Sequence, residues 1–160
     1  MANKDMPVGL KPYEQCLRAR KYVAGSTVYP GDPVALASDG QVDSSVTVPL
    51  LGVALNYATV GQDLMVADDP AQIFVAQATA SIATTDVGQN ASLSLGTAST
   101  AYKMSRAEVD QSTLAGTATL AVKIVGIGEA IDNSAGAADV DVLVKINNHM
   151  LGSHTGTAGV

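Results

Sequence analysis

Asp68 and Asp69 stand side by side in "VADDPAQIFVAQA", residues 66–78, between two apolar runs. Paired carboxylates are the raw material of a metal site or of acid–base catalysis, so they are the first candidates for chemistry. A metal site needs further carboxylates or histidines converging on the pair, and the flanking residues offer none at a spacing that one loop could use. Adjacent residues on an extended chain also point to opposite faces, which works against joint chelation of one ion. Asp-Asp-Pro reads better as a corner. An Asp oxygen accepts from a backbone N–H two residues on, and Pro70 bars the residue before it from helical conformation. The expectation is a turn between two strands.

The other chemical candidates are thinner. "DNSAGAADVD" carries Asp132, Ser134, Asp139 and Asp141, but Gly136 falls one position early for an EF-hand loop and no glutamate closes it. "VGIGEA" has Gly126 and Gly128 without a third glycine or a following helix to receive a pyrophosphate. His149 and His154 are the only histidines, and His154 lies in a glycine-rich ending that cannot hold a catalytic base rigidly. Cys16 is the only cysteine, so no internal disulfide forms. Arg18 and Arg20 beside it could activate a thiolate, but a small buried hydrophobe is the expected role. No nucleophile elbow, phosphate loop or zinc spacing is present, and no catalytic, metal or cofactor-binding residue is assigned.

The elements that position these residues follow from composition and periodicity. A chain of 160 residues makes one domain, able to bury about 70% of the surface its unfolded form exposes. Its 47% apolar content is mostly Ala and Val, with Phe74 as the only phenylalanine and no tryptophan, so thin layers rather than a bulky core are expected. Turn signals recur about every ten residues between Tyr22 and Leu151, the rhythm of an antiparallel sandwich or barrel. Strands are expected in "STVY", "DPVALA", "VTVPLLGVAL", "DLMVA", "AQIFVAQA", "NASLSLG", "TATLAVKIVGIG" and "DVDVLVKIN". The last alternates cleanly, with Val140, Val142, Val144 and Ile146 on one face. "SRAEVDQSTLAG" alone tempts a helix, with capping-box spacing between Ser105 and Glu108, and is read as one helical turn or a loop. Gly52 and Gly126, inside strand patterns, suggest close backbone approach or bulges. The passages from Val48 and from Val122 share an outline and are read as a pair of alike hairpins.

Charge is divided unevenly. Residues 1–21 hold five basic residues, Lys4, Lys11, Arg18, Arg20 and Lys21, against two acids, a balance of +3. The rest holds four basic and thirteen acidic residues, a balance of −9. An acidic body is a poor binder of nucleic acid, so a basic segment on it suits an acidic protein surface better. The start has no secretory pattern, and no apolar run approaches the about 18 residues of a membrane span. The expected organisation is an N-terminal basic arm over 1–21, a β body over 22–146 and an extended tail over 147–160. The tail is expected to be disordered or to lie on another molecule.

Several stretches, in this order, resemble the head-decoration or structural cement proteins of tailed bacteriophages. They are "YVAGSTVYPGDPVALASDGQV" over 22–42, "LLGVAL" over 50–55, the "VADDPAQIFVAQ" passage, "IVGIGEA" followed by "DVDVLVKINNHML", and the ending "GSHTGTAGV". The resemblance covers most of the chain from Tyr22 onward, and the order of the segments counts for more than any one of them. It implies an all-β protein, an antiparallel sandwich or barrel with jelly-roll topology among the candidates, and extended N- and C-terminal arms. It also implies no enzymatic activity, assembly in a bacterial cytoplasm and residence on the outer surface of the virion. The implied partners are the major capsid protein of an expanded icosahedral head and neighbouring copies in a homo-dimer or homo-trimer, with no nucleic acid, membrane or cofactor. Lys11, Arg18, Arg20 and Lys21 are the candidate capsid contacts, on charge rather than on resemblance. The alternative is a virion-surface module binding host glycans, with Tyr29 and Tyr57 near turns as the stacking rings.

Overall fold

Runs of β-branched residues broken by Gly, Pro and Asp cannot make long elements, and the computed structural model, which describes residues 3–160, is built from short strands. The strands are β1 (Lys11–Pro12), β2 (Ala19–Val23), β3 (Pro33–Leu36), β4 (Val42–Ser44), β5 (Gly52–Ala54), β6 (Asp63–Ala67), β7 (Ile73–Gln77), β8 (Asn90–Ser94), β9 (Glu108–Ala115), β10 (Val122–Ile127) and β11 (Asp141–Ile146). A single turn of 3-10 helix, Thr84–Asp86, precedes β8. The strands form two antiparallel sheets, a six-stranded one ordered β1-β7-β11-β10-β8-β9 and a five-stranded one ordered β2-β6-β5-β3-β4. The fold is an all-β sandwich. It is not a closed barrel: the edges of the smaller sheet touch at one bridge, Ala24 to Val42, and the larger sheet folds β9 back onto the end of β7 at Ala78 and Val109.

Two apolar clusters follow from strand alternation. The larger one gathers Phe74, Ala76, Leu93, Val109, Val122, Ile124, Val142, Val144 and Ile146 from the six-stranded sheet, with Val53 and Ala67 from the other and Leu50 from the segment before β5. The next residue along from Val53 is Ala54, which must face the opposite way. It joins Val34, Val42, Leu51, Leu64 and Val66 in a second cluster enclosed by the smaller sheet. Val140, Val142, Val144 and Ile146 are all buried on the face their alternation predicted.

Both glycines singled out in the sequence have the expected roles. Register between β10 and β11 shifts between Ile124 and Gly126, a β-bulge with Val125 as the extra residue. At Gly52 the backbones of β5 and β6 come so close that a Cβ would lie 2.1 Å from the Ala67 carbonyl oxygen. The two alike passages are equivalent too: β5 pairs with β6 in one sheet and β10 with β11 in the other.

Three expectations need correction. The stretch read as a helical turn or loop is β9, at eight residues the longest strand. Only Val109 in it is fully buried, so an edge strand with polar groups on both faces hid its period. Cys16 is exposed, because it sits in the irregular passage between β1 and β2, outside either cluster. The boundary at 21 falls inside β2, which pairs with β6 along its whole length, and β1 before it pairs with β7, whereas the boundary at 147 coincides with the end of β11. Residues 1 and 2 of the basic segment lie outside the described residues.

Both terminal segments lie on the body of their own chain, held by amide side chains. Gln77 is 7% exposed; it donates to the Lys4 carbonyl at 2.8 Å and accepts from the Met6 amide at 3.0 Å. Gln72 accepts from the Leu17 amide at 2.7 Å and donates to the Gln15 carbonyl at 3.2 Å. At the other end Asn90 donates to the Thr157 carbonyl at 2.8 Å. Asn147 donates to the Ala118 carbonyl at 2.8 Å and accepts from the Thr157 amide at 3.0 Å. Gly156 lets the tail pass this close: its φ is +67°, and a Cβ there would meet the Ala118 oxygen at 2.3 Å. A tail with almost no apolar surface is thus ordered through buried hydrogen bonds, which composition does not announce. Asn147→Ala should leave the Thr157 amide without its partner, at a cost of about 1–2 kcal/mol, while Asn148 still donates to the Ala118 carbonyl at 3.0 Å. Limited proteolysis should then remove the residues beyond Met150 first.

Candidate interaction site

The opening pair of aspartates divides its duties. Asp69 makes the expected corner, its carboxylate accepting from the Ala71 amide at 2.8 Å and its carbonyl from the Gln72 amide at 3.0 Å. Asp68 is wholly buried and belongs to a cluster built by the pairing of β2 with β6. That register sets Ala19 opposite Ala67 and Arg20 opposite Val66, so Arg18, Arg20 and Tyr22 share the face of the ladder on which Asp68 lies. Arg18 donates from Nε to Asp68 Oδ1 at 2.9 Å and from a terminal nitrogen to the Asp68 carbonyl at 2.9 Å. Arg20 Nε donates to Oδ2 at 2.6 Å, as does the Tyr22 hydroxyl at 2.6 Å.

Burial pushes the Asp68 carboxyl up, but the hydrogen bonds from Tyr22, Arg18 and Arg20 and the charge of the arginines outweigh it, so its pKa is held below the ordinary value. The Tyr22 hydroxyl is pushed up by burial first and then by the carboxylate it bonds. The arginine side chains keep 40% and 49% of their surface in solvent. Each uses its inner Nε on Asp68, and Arg18 spends one terminal nitrogen on the Asp68 carbonyl as well, so donors remain on both partly exposed guanidinium groups. The result is a pair of guanidinium groups fixed in place with net positive charge.

The four candidate contacts therefore differ. Arg18 and Arg20 are brought together by Asp68. Lys21, on the outward side of the same strand, pairs with Asp63 at 3.0 Å where both are exposed, a contact worth little in water. Lys11 lies exposed on β1 in the other sheet, with no ion pair among the described residues. Much of the +3 of the basic segment is thus balanced by Asp68 and Asp63 of the body. β2 is also an edge strand with a single neighbour, so one side of its backbone carries no ladder partner. The sequence held one signal for this cluster that the reading above passed over: Arg18-x-Arg20-x-Tyr22 has period two, which sets three donors on one face of a strand.

The remaining motifs resolve as structure. The 132–141 passage is a turn closed by Asn133, which donates to the carbonyls of Gly128 and Asp141 at 2.8 Å each and accepts from the Asp141 amide at 2.9 Å. Among the described residues no three His, Cys, Asp or Glu side chains gather as a metal site would require. Tyr29 and Tyr57 pack against each other with centroids 5.4 Å apart and ring planes inclined at 55°, and the Lys103 ammonium lies 4.4 Å over the Tyr57 ring. Among the described residues no helix is long and apolar enough to cross a membrane. In comparisons with known proteins, no family model matches the chain and no curated protein matches it.

Proposed function

We propose that this protein is a non-enzymatic decoration or cement protein of a bacteriophage head, which binds the outer surface of the expanded shell and links neighbouring major capsid subunits. The resemblance of its ordered segments supports the reading. The observation that carries it is β2: an exposed edge strand bearing two guanidinium groups held by a buried carboxylate. An open strand edge accepts an extended segment of a partner through backbone hydrogen bonds, and cations fixed beforehand lose little freedom on docking to its acidic side chains. Repetition of one such contact over an icosahedral lattice turns modest single affinities into firm attachment. Self-association as a dimer or trimer belongs to the same proposal. Nothing in the structure favours the glycan-binding alternative, since the Tyr57 face is already covered by Lys103.

The test uses the two cations that have no buried partner. Lys11→Glu with Lys21→Glu leaves Asp68 and its donors untouched. It should weaken co-sedimentation with purified expanded heads by roughly tenfold, while the melting temperature of the free protein holds. Unchanged occupancy removes Lys11 and Lys21 from the proposed contact.

A further inference from the structure

Three buried side-chain atoms among the described residues lack a hydrogen-bond partner: Ser44 Oγ, Asn90 Oδ1 and His149 Nε2. His149 is 2% exposed, and its chemistry fixes what the orphan atom is. The Leu151 amide donates to Nδ1 at 3.0 Å, so Nδ1 carries no proton. Burial favours the neutral ring, which places the single proton on Nε2. His149 therefore presents a buried N–H donor without an acceptor, which most folded chains avoid.

The same residue lines a cavity of about 170 Å³ together with Pro70, Lys123, Lys145, Ile146, Asn147, Ser153 and Thr157. That space is over ten times the about 10–15 Å³ one water needs. Lys123 and Lys145 are directly opposite in the β10–β11 ladder, on one face of the sheet. Like charges in that relation repel unless an anion lies between them. Lys123 Nζ gives one hydrogen bond to the Ala158 carbonyl at 2.7 Å, which leaves two further donors on that ammonium. Of the two acids on the corner, Asp68 is taken up by Arg18, Arg20 and Tyr22, and Asp69 accepts from the Ala71 amide.

We propose that this cavity is a binding site for one carboxylate group, held by the ammonium groups of Lys123 and Lys145, with the buried Nε2–H of His149 behind it as a third donor that a small shift of the ring brings to the carboxylate. Two sources share that chemistry: a small free acid, and an Asp or Glu side chain of a docked protein. The site does not depend on the shell-binding reading, because it is read on the isolated protein.

The experiment follows the His149 ring in histidine-labelled protein by long-range ¹H–¹⁵N spectra during titration with sodium acetate, against sodium chloride at matched ionic strength. Acetate should move the Nε2 signal saturably where chloride does not. Lys145→Ala, which leaves the Lys123 contact with Ala158 in place, should weaken the acetate affinity by roughly fivefold without lowering the melting temperature. Lys123→Ala should weaken it as well. A blocked aspartate that binds as tightly as acetate identifies a protein side chain as the occupant; binding of acetate alone identifies a free acid. A linear or absent response to acetate, an equal response to chloride, or affinity unchanged in both lysine variants overturns the proposal.

Discussion

Asp68→Ala should lower stability at neutral pH by about 2 kcal/mol, measured by denaturant unfolding. The carboxylate is wholly buried and accepts three side-chain hydrogen bonds, two of them from charged donors. A single hydrogen bond to an ion can contribute about 1.5–3 kcal/mol, but here the arginines are about half in water and recover solvent when released. The reverse experiment is more severe. Removing both arginines leaves the buried carboxylate with Tyr22 alone, and an ion buried without its partner is the costly case. Charge reversal at Arg18 and Arg20 is therefore a test of folding before it is a test of binding.

The same carboxyl sets an acid limb. Its pKa is lowered in the fold from a reference near 3.8. Its contribution is thus fully present above that reference value and is lost as pH falls through the lower folded value. The stability difference between the natural chain and Asp68→Asn should hold constant from neutral pH down to about 4 and shrink below it. A difference that grows on acidification would contradict the ion-pair assignment.

Gly52→Ala should cost more, about 3 kcal/mol, and should disturb both sheets. The methyl group would lie 2.1 Å from the Ala67 carbonyl oxygen and 3.0 Å from Val66 Cγ1. Backbone cannot rotate aside as a side chain does, so β5 and β6 must separate. Val53, beside Gly52, packs in the larger cluster and Ala54 in the smaller, which carries the strain to both. Amide exchange in β6 should rise along with the loss of stability; protection equal to that of the natural chain would refute the close approach.

Legibility in the sequence tracked burial. The inner strands β6, β7, β10 and β11 alternate apolar and polar residues or run apolar, and their turns carry Gly, Asp or Pro, so period and punctuation agree. The edge strands β2 and β9 were missed because solvent meets both their faces and polar residues fill them. Asp69 was read correctly because a turn is local chemistry. Asp68 was not, because its partners are 46 to 50 residues away and meet it only through the β2–β6 register. The termini follow the same logic: five buried amides, Gln72, Gln77, Asn90, Asn147 and Asn148, hold segments whose own composition suggested freedom.

The central claim is that the protein acts through the β2 edge against another protein. An image reconstruction of expanded heads incubated with the purified chain tests it most directly. The account predicts density on the outer surface with β2, Arg18 and Arg20 turned toward a capsid subunit. Density with that strand turned to solvent, or heads left bare at saturating protein, would contradict it.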